Sequence, residues 1–135
     1  MPEELICQTN GQGLVDITAS VAAIVSRSGI RDGLCTVFVT HTSASLLINE
    51  NADPSARHDI ESWLNRLVPE NDALYTHTLE GPDDMPAHIK ATLTASSLGI
   101  PVMHGRLGLG TWQGICLWEH RHAAQRRRLL IHVGS

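Results

Sequence analysis

No two cysteines in this 135-residue chain are spaced as CxxC, and the three present, Cys7, Cys35 and Cys116, are odd in number and far apart. That excludes a thioredoxin-type motif and a cysteine-rich metal site. It predicts reduced core thiols of the kind found in cytoplasmic proteins. No apolar run approaches the roughly 18 residues of a membrane span. Met1-Pro2-Glu3-Glu4 does not open a secretory signal, so a cytoplasmic protein without membrane contact is expected. The net charge is −4, which lacks the basic excess of a general nucleic-acid binder. HExxH, GxSxG and a Walker lysine are also missing. Zincin, α/β-hydrolase and P-loop chemistry are thereby excluded, and no nucleotide cofactor is expected. No linker or internal repeat interrupts the chain, so residues 1–135 are read as a single domain.

Enough apolar sequence is present, at 42%, to bury a core. Residues 13–17 read as a short strand, and Thr18 to Ser28 as a helix stopped by Gly29. Leu34 to Thr40 is rich in strand formers, and Ser45 to Asn49 is a second extended piece. Asp53-Pro54 is a cap followed by proline at the first helical position. Ile60, Trp63, Leu64 and Leu67 then share one face, which predicts a helix over 54–67. A loop covers 69–85, and a third helix starts at Asp83-Asp84-Met85-Pro86. Its stripe of Ile89, Leu93 and Ser97 runs toward Gly99 and Pro101. Strands are predicted at 101–104, 111–119 and 127–133. The last three strands have no helix between them, so the fold class is α+β with a mostly antiparallel sheet and about three helices.

Polar residues gather beside element ends in three places. The first is His41-Thr42-Ser43 with Asn49-Glu50-Asn51 and Asp53. His41 suits either a strand-edge hydrogen bond or proton transfer, and Asp53 suits a cap or a cation. The second is Asp83-Asp84 with His88 at a helix start, where free N–H groups favour anions and a carboxylate favours magnesium. The third is the glycine hairpin with Arg106, Thr111 and Gln113, where arginine can grip a phosphate by two hydrogen bonds. Glu119 closes the following strand as a carboxylate aimed at a site or as a partner of Arg121. Eight histidines are a high number for this length. His41, His77 and His88 form one candidate zinc set, and Glu50, Asp53 and Asp84 a candidate magnesium set. His58 is expected on a solvated helix face. Trp112 and Trp118 alternate onto one strand face that needs a cover.

The strings HTSASLLINENADPSARHDIESWLNRLVPE, EGPDDMPAHIK, IPVMHGRLGLGTWQGICLWEHR and RRLLIHVG closely resemble the YjbQ-like family. The chain departs from it at Ala123-Ala124-Gln125, where many relatives are glycine-rich. The resemblance implies a two-layer α+β fold assembled as a homotrimer. It also implies a weak thiamine-phosphate synthase activity, joining a pyrimidine pyrophosphate to a thiazole phosphate. His41, His88 and Glu119 are then the expected catalytic groups. Ser43, Asn51, Arg106, Thr111 and Gln113 would bind a small phosphorylated metabolite, with a divalent metal, magnesium or zinc, beside it. A metal-dependent hydrolase and a non-catalytic metabolite-binding trimer are the two alternatives.

Overall fold

The computed structural model describes residues 1–135. The elements are β1 (Glu3–Gln8), β2 (Gly13–Asp16), α1 (Thr18–Ser28), β3 (Gly33–Val39), β4 (Ala44–Glu50), α2 (Pro54–Leu67), α3 (Asp84–Leu93), β5 (Ser97–Met103), β6 (Arg106–Leu107), β7 (Gln113–Glu119) and β8 (Arg126–Gly134). They build two sheets, β1-β8-β3-β5-β6 and β2-β7-β4. Every pairing is antiparallel. The α+β class with three helices is therefore correct.

Alternation explains the main core. Cys35, Val37 and Val39 of β3 point inward with Ile100 and Val102 of β5 and Leu129 and Ile131 of β8. Ala44 and Leu46 of β4 and Ile115 and Leu117 of β7 meet them from the small sheet, and Val21, Ile24 and Val25 of α1 complete the cluster. The opposite face of the small sheet is also covered. Leu14, Cys116 and Trp118 pack there with Leu64 of α2 and Val68 just beyond it, with Ile89 of α3 alongside. A helical layer thus joins the expected two. Covered on both sides, β7 is buried from Gly114 to Glu119. The shared apolar face expected for Trp112 and Trp118 does not form an open patch: Trp118 is buried inside the chain and only Trp112 is exposed.

The helix signals hold where local chemistry sets them. Gly29 ends α1 in the left-handed region at φ 73°, and the Asp53 carboxylate accepts the Ser55 N–H at 2.9 Å at the start of α2. The third helix is shorter than its apolar stripe suggests. The Thr94 hydroxyl and N–H both donate to the Lys90 carbonyl, and Ser97 already pairs with Phe38 as the first residue of β5. Tertiary pairing overrides the helical stripe there. β1, which pairs with β8, was not expected from the sequence.

Candidate metal centre

The start of α3 is fixed from outside the helix. Asp83 precedes it without capping it. Instead its Oδ2 accepts from Arg121 Nε at 3.0 Å and from the His122 N–H at 2.8 Å. Arg121 Nη1 donates to Asp84 Oδ1 at 2.8 Å, and Nη2 donates to the Glu80 carbonyl. One guanidinium just past β7 therefore clamps the loop end and both carboxylates. A side-chain pairing with Glu119 was one of the two alternatives for that carboxylate, but from Arg121 Glu119 accepts only the backbone N–H.

With Oδ1 occupied, Asp84 turns Oδ2 toward two imidazoles. His77 Nε2 lies 2.7 Å away and His88 Nε2 3.2 Å away. The rings meet edge to face with centroids 5.3 Å apart. The carboxylate is buried, while both imidazoles remain partly open to solvent. Burial by itself would raise the Asp84 pKa; the His77 hydrogen bond and the charges of Arg121, His88 and His77 outweigh it and hold the carboxyl below its usual range.

His77, Asp84 and His88 are the one set of three or more His, Cys, Asp or Glu residues whose ligand atoms all lie within 4.8 Å of one another. Two atoms bound tetrahedrally to an ion at about 2.0–2.2 Å stand roughly 3.3–3.6 Å apart. The 2.7 and 3.2 Å separations here need only small side-chain movements to reach that spacing. Two imidazoles and a carboxylate suit zinc and other divalent transition metals, whereas magnesium prefers an all-oxygen set.

Neither expected metal set assembles within the chain. His41 is replaced by Asp84: its Nε2 accepts the Arg128 N–H at 2.8 Å. Burial and the Arg127 charge lower its pKa, so it is neutral at pH 7, with the ring proton on Nδ1. It still shares a shallow cavity of about 270 Å³ with His88, Thr42 and Thr92. Asp84 does not meet Glu50 and Asp53. Glu50 pairs with Gln113 at one end of β4 and β7, whereas Ala44 pairs with Glu119 at the other. Six strand steps between those pairs span about 20 Å.

The remaining expected site residues divide between these ends. Ser43 accepts from Arg127 through both its hydroxyl and its carbonyl. Glu119 is completely buried in an ion pair with Arg127, and it also accepts from Thr9 at 2.6 Å. It is a partner inside the protein, not a carboxylate at an open strand end. At the far end Asn51 donates to Asp16, and Gln113 accepts the Gly110 N–H; Thr111 is exposed beside them. Arg106 lines another cavity, between α1 and β6, with Arg31 and His104. At about 640 Å³ that cavity is the larger one, but His104 is the one imidazole, thiol or carboxylate side chain lining it, too few to hold a metal. Donor chemistry, not size, therefore marks the candidate centre. His58 is exposed, as expected on a solvated face, and borders a cleft between α2 and the end of β7.

Sequence reasoning offered Arg121 only as one of two alternatives for Glu119 and passed over its hold on the Asp83 and Asp84 carboxylates. It also passed over the buried His120, whose Nε2 lies 2.8 Å from the Ser45 hydroxyl.

Comparison with known proteins agrees with this fold. The family described as UPF0047 protein YjbQ-like matches residues 3–135. The chain belongs to the YjbQ-like family. UPF0047 protein sll1880 of Synechocystis sp. is 51% identical over 133 residues, covering 98% of this chain and 90% of that protein. UPF0047 protein YjbQ of Escherichia coli O157:H7 is 53% identical over 104 residues, 76% of this chain and 75% of that one. Among solved structures, a yjbq/upf0047 family protein of Clostridium acetobutylicum superposes with a TM-score of 0.89 at 39% identity. That match covers 98% of this chain and 99% of the other. The conserved hypothetical protein TT1486 of Thermus thermophilus gives a TM-score of 0.87 at 33% identity, with the same coverage.

Proposed function

We propose that this YjbQ-like protein is a divalent-metal enzyme of the hydrolytic class, acting on a small phosphorylated metabolite at His77, Asp84 and His88. The observation that carries this proposal is the convergence of two imidazoles on one buried, ionised carboxylate whose second oxygen is held by Arg121. A divalent ion in such a site supplies a Lewis acid and a bound water of lowered pKa. The protein's own groups do the remaining work. Arg121 keeps Asp84 ionised and oriented, as outer-shell partners do for metal ligands. His41, neutral and across the shallow cavity from His88, offers an Nδ1–H to a substrate oxygen. Its other nitrogen is fixed by the Arg128 N–H.

Thiamine-phosphate synthase-type transfer is a second proposal, supported by the Arg31–Arg106 cavity, where two guanidiniums suit a phosphate. That cavity and the His–Asp–His cluster occupy separate parts of the chain, so a transferase would combine them between subunits. This arrangement agrees with the proposed homotrimer. An exposed apolar strip on the large sheet, with Leu34, Phe38 and Met103, supports such an assembly.

The test compares metal-loaded and chelator-stripped protein in two assays: phosphate release from small phosphate esters, and pyrophosphate release from the pyrimidine and thiazole substrates. The hydrolytic proposal expects metal-dependent release in the first assay, and its loss in His88→Asn together with the metal. Turnover in the second assay alone would favour the transferase. Ligand binding with turnover in neither would make the protein a binding module.

A further inference from the structure

Two guanidiniums of this acidic chain, whose net charge is −4, face one cavity without a counter-charge. Arg27, Arg121, Arg127 and Arg128 each pair with a carboxylate. Arg31 and Arg106 enter none of the chain's ion pairs. Both line the cavity between α1 and β6, and no Asp or Glu lines it with them.

Backbone geometry brings the two together. Met103 pairs with Arg106, so His104 and Gly105 form a two-residue hairpin turn. Both are left-handed, at φ 53° and 78°, as the tightest hairpin turns require. The Gly105 N–H donates to the Arg31 carbonyl at 2.9 Å, which ties the hairpin tip to the segment just after α1. Arg31 Nη1 lies 3.6 Å from the point that a Cβ on Gly105 would occupy. One guanidinium therefore lies against the turn that leads into Arg106.

Beside α1 the cavity is a slot. Thr18, Ala22 and Ser26 recur every fourth residue, so they form one stripe along the helix, and all three line the cavity. Their short side chains leave room, and Leu107 and Leu109 add apolar surface. The volume of about 640 Å³ is that of an ordinary small-molecule site.

We propose that this cavity binds a phosphate monoester with an apolar body of ring size. Arg31 and Arg106 hold the phosphate, and the body lies in the slot beside α1. A phosphate dianion can accept paired hydrogen bonds from two guanidiniums at once, which a carboxylate with one charge and two oxygens matches less well. The C-terminal end of α1 lies close by, and its dipole favours cations. The guanidiniums, not the helix, therefore hold the anion. The site uses the arginine pair that supports the transferase reading, but it requires neither transfer nor a metal.

Calorimetric titration of chelator-stripped protein with phenylphosphonate, inorganic phosphate and benzoate tests the site. Phenylphosphonate resembles the ester and resists hydrolysis. It should bind at least about tenfold more tightly than phosphate, which lacks the ring. It should exceed benzoate by a similar factor of about ten, because benzoate lacks the second charge. Arg31→Gln and Arg106→Gln should each weaken its binding by about 10–100-fold. Ala22→Glu, at an exposed helical position, should fill the slot and abolish binding. His88→Asn should bind phenylphosphonate as wild type does. Absence of hydrolysis and of transfer would leave this binding intact, so the site and the reaction fail separately. Four results would overturn the proposal: no phenylphosphonate binding by wild type, phosphate or benzoate bound as tightly, affinity unchanged by both arginine substitutions, or binding lost in His88→Asn.

Discussion

Asp84 Oδ2 lies 2.7 Å from Nε2 of His77, which joins the end of a long polar loop to the first turn of a helix. The bond uses the oxygen left free by Arg121, so the loop, the helix and the exit from β7 meet at one carboxylate. The fold gathers metal-type donors where neither side chain could do so alone.

Arg121 should matter to that site without touching a ligand. Arg121→Met removes the donor to Asp84 Oδ1 and both contacts to Asp83 and Glu80. Zinc affinity, measured against a chromophoric chelator, is expected to fall about 10–100-fold. An unchanged affinity would show that Asp84 is positioned by its own helix.

The buried Glu119–Arg127 pair predicts a large asymmetry in stability. Arg127→Met leaves a fully buried carboxylate without its cation, and urea unfolding should show a loss of about 3–5 kcal/mol. Glu119→Leu combined with Arg127→Met should recover much of it, since an apolar pair removes the unpaired charge. A loss under about 1 kcal/mol in the single variant would contradict the internal role given to Glu119.

His120 sets a distinct acid response. Burial, then the charges of Lys90 and Arg127, lower its pKa to about 3, against about 6.5 when unfolded. Between these values the unfolded chain binds the extra proton, so stability falls as pH drops below about 6.5 and the loss is complete near pH 3. The slope from this one group is at most about 1.4 kcal/mol per pH unit. Asp83 and Asp84, with lowered pKa values, add their loss only from about pH 4 downward. Metal-free wild type should therefore weaken already between pH 6 and 5, and His120→Gln should make that part of the curve shallower, leaving the contribution of His41, whose pKa is also lowered. Equal slopes for the two proteins there would rule out His120 as the cause.

The exposed strip on the large sheet predicts self-association. Sedimentation at micromolar concentration should give about three times the 14.7 kDa chain mass, and Phe38→Asp should shift it toward the monomer. A wild-type mass near 14.7 kDa would refute the trimer.

Elements set by local chemistry were legible in the sequence. Pro54 after Asp53 and Gly29 after a periodic stretch act within one turn, and both helices begin or end as those residues require. The run Ile115 to Trp118 was harder, because a strand buried on both faces does not alternate. The Ile89–Leu93–Ser97 stripe failed because β3 recruits Ser97 as a strand residue. His88 was legible as a candidate ligand from its setting at a helix start, and His77 through the family resemblance. Asp84 as their shared partner was less so, because its orientation comes from Arg121, 37 residues away. That contact belongs to topology and not to any local spacing.

The most direct test of the central claim is metal binding at the His77–Asp84–His88 cluster. Chelator-stripped protein should take up one zinc per chain by calorimetric titration, with a matching rise in thermal midpoint. His88→Ala and Asp84→Asn should each abolish that uptake, and His132→Ala, on β8 away from the cluster, should leave it intact. A wild-type protein that binds no zinc, or variants that bind it as well as wild type, would contradict the account.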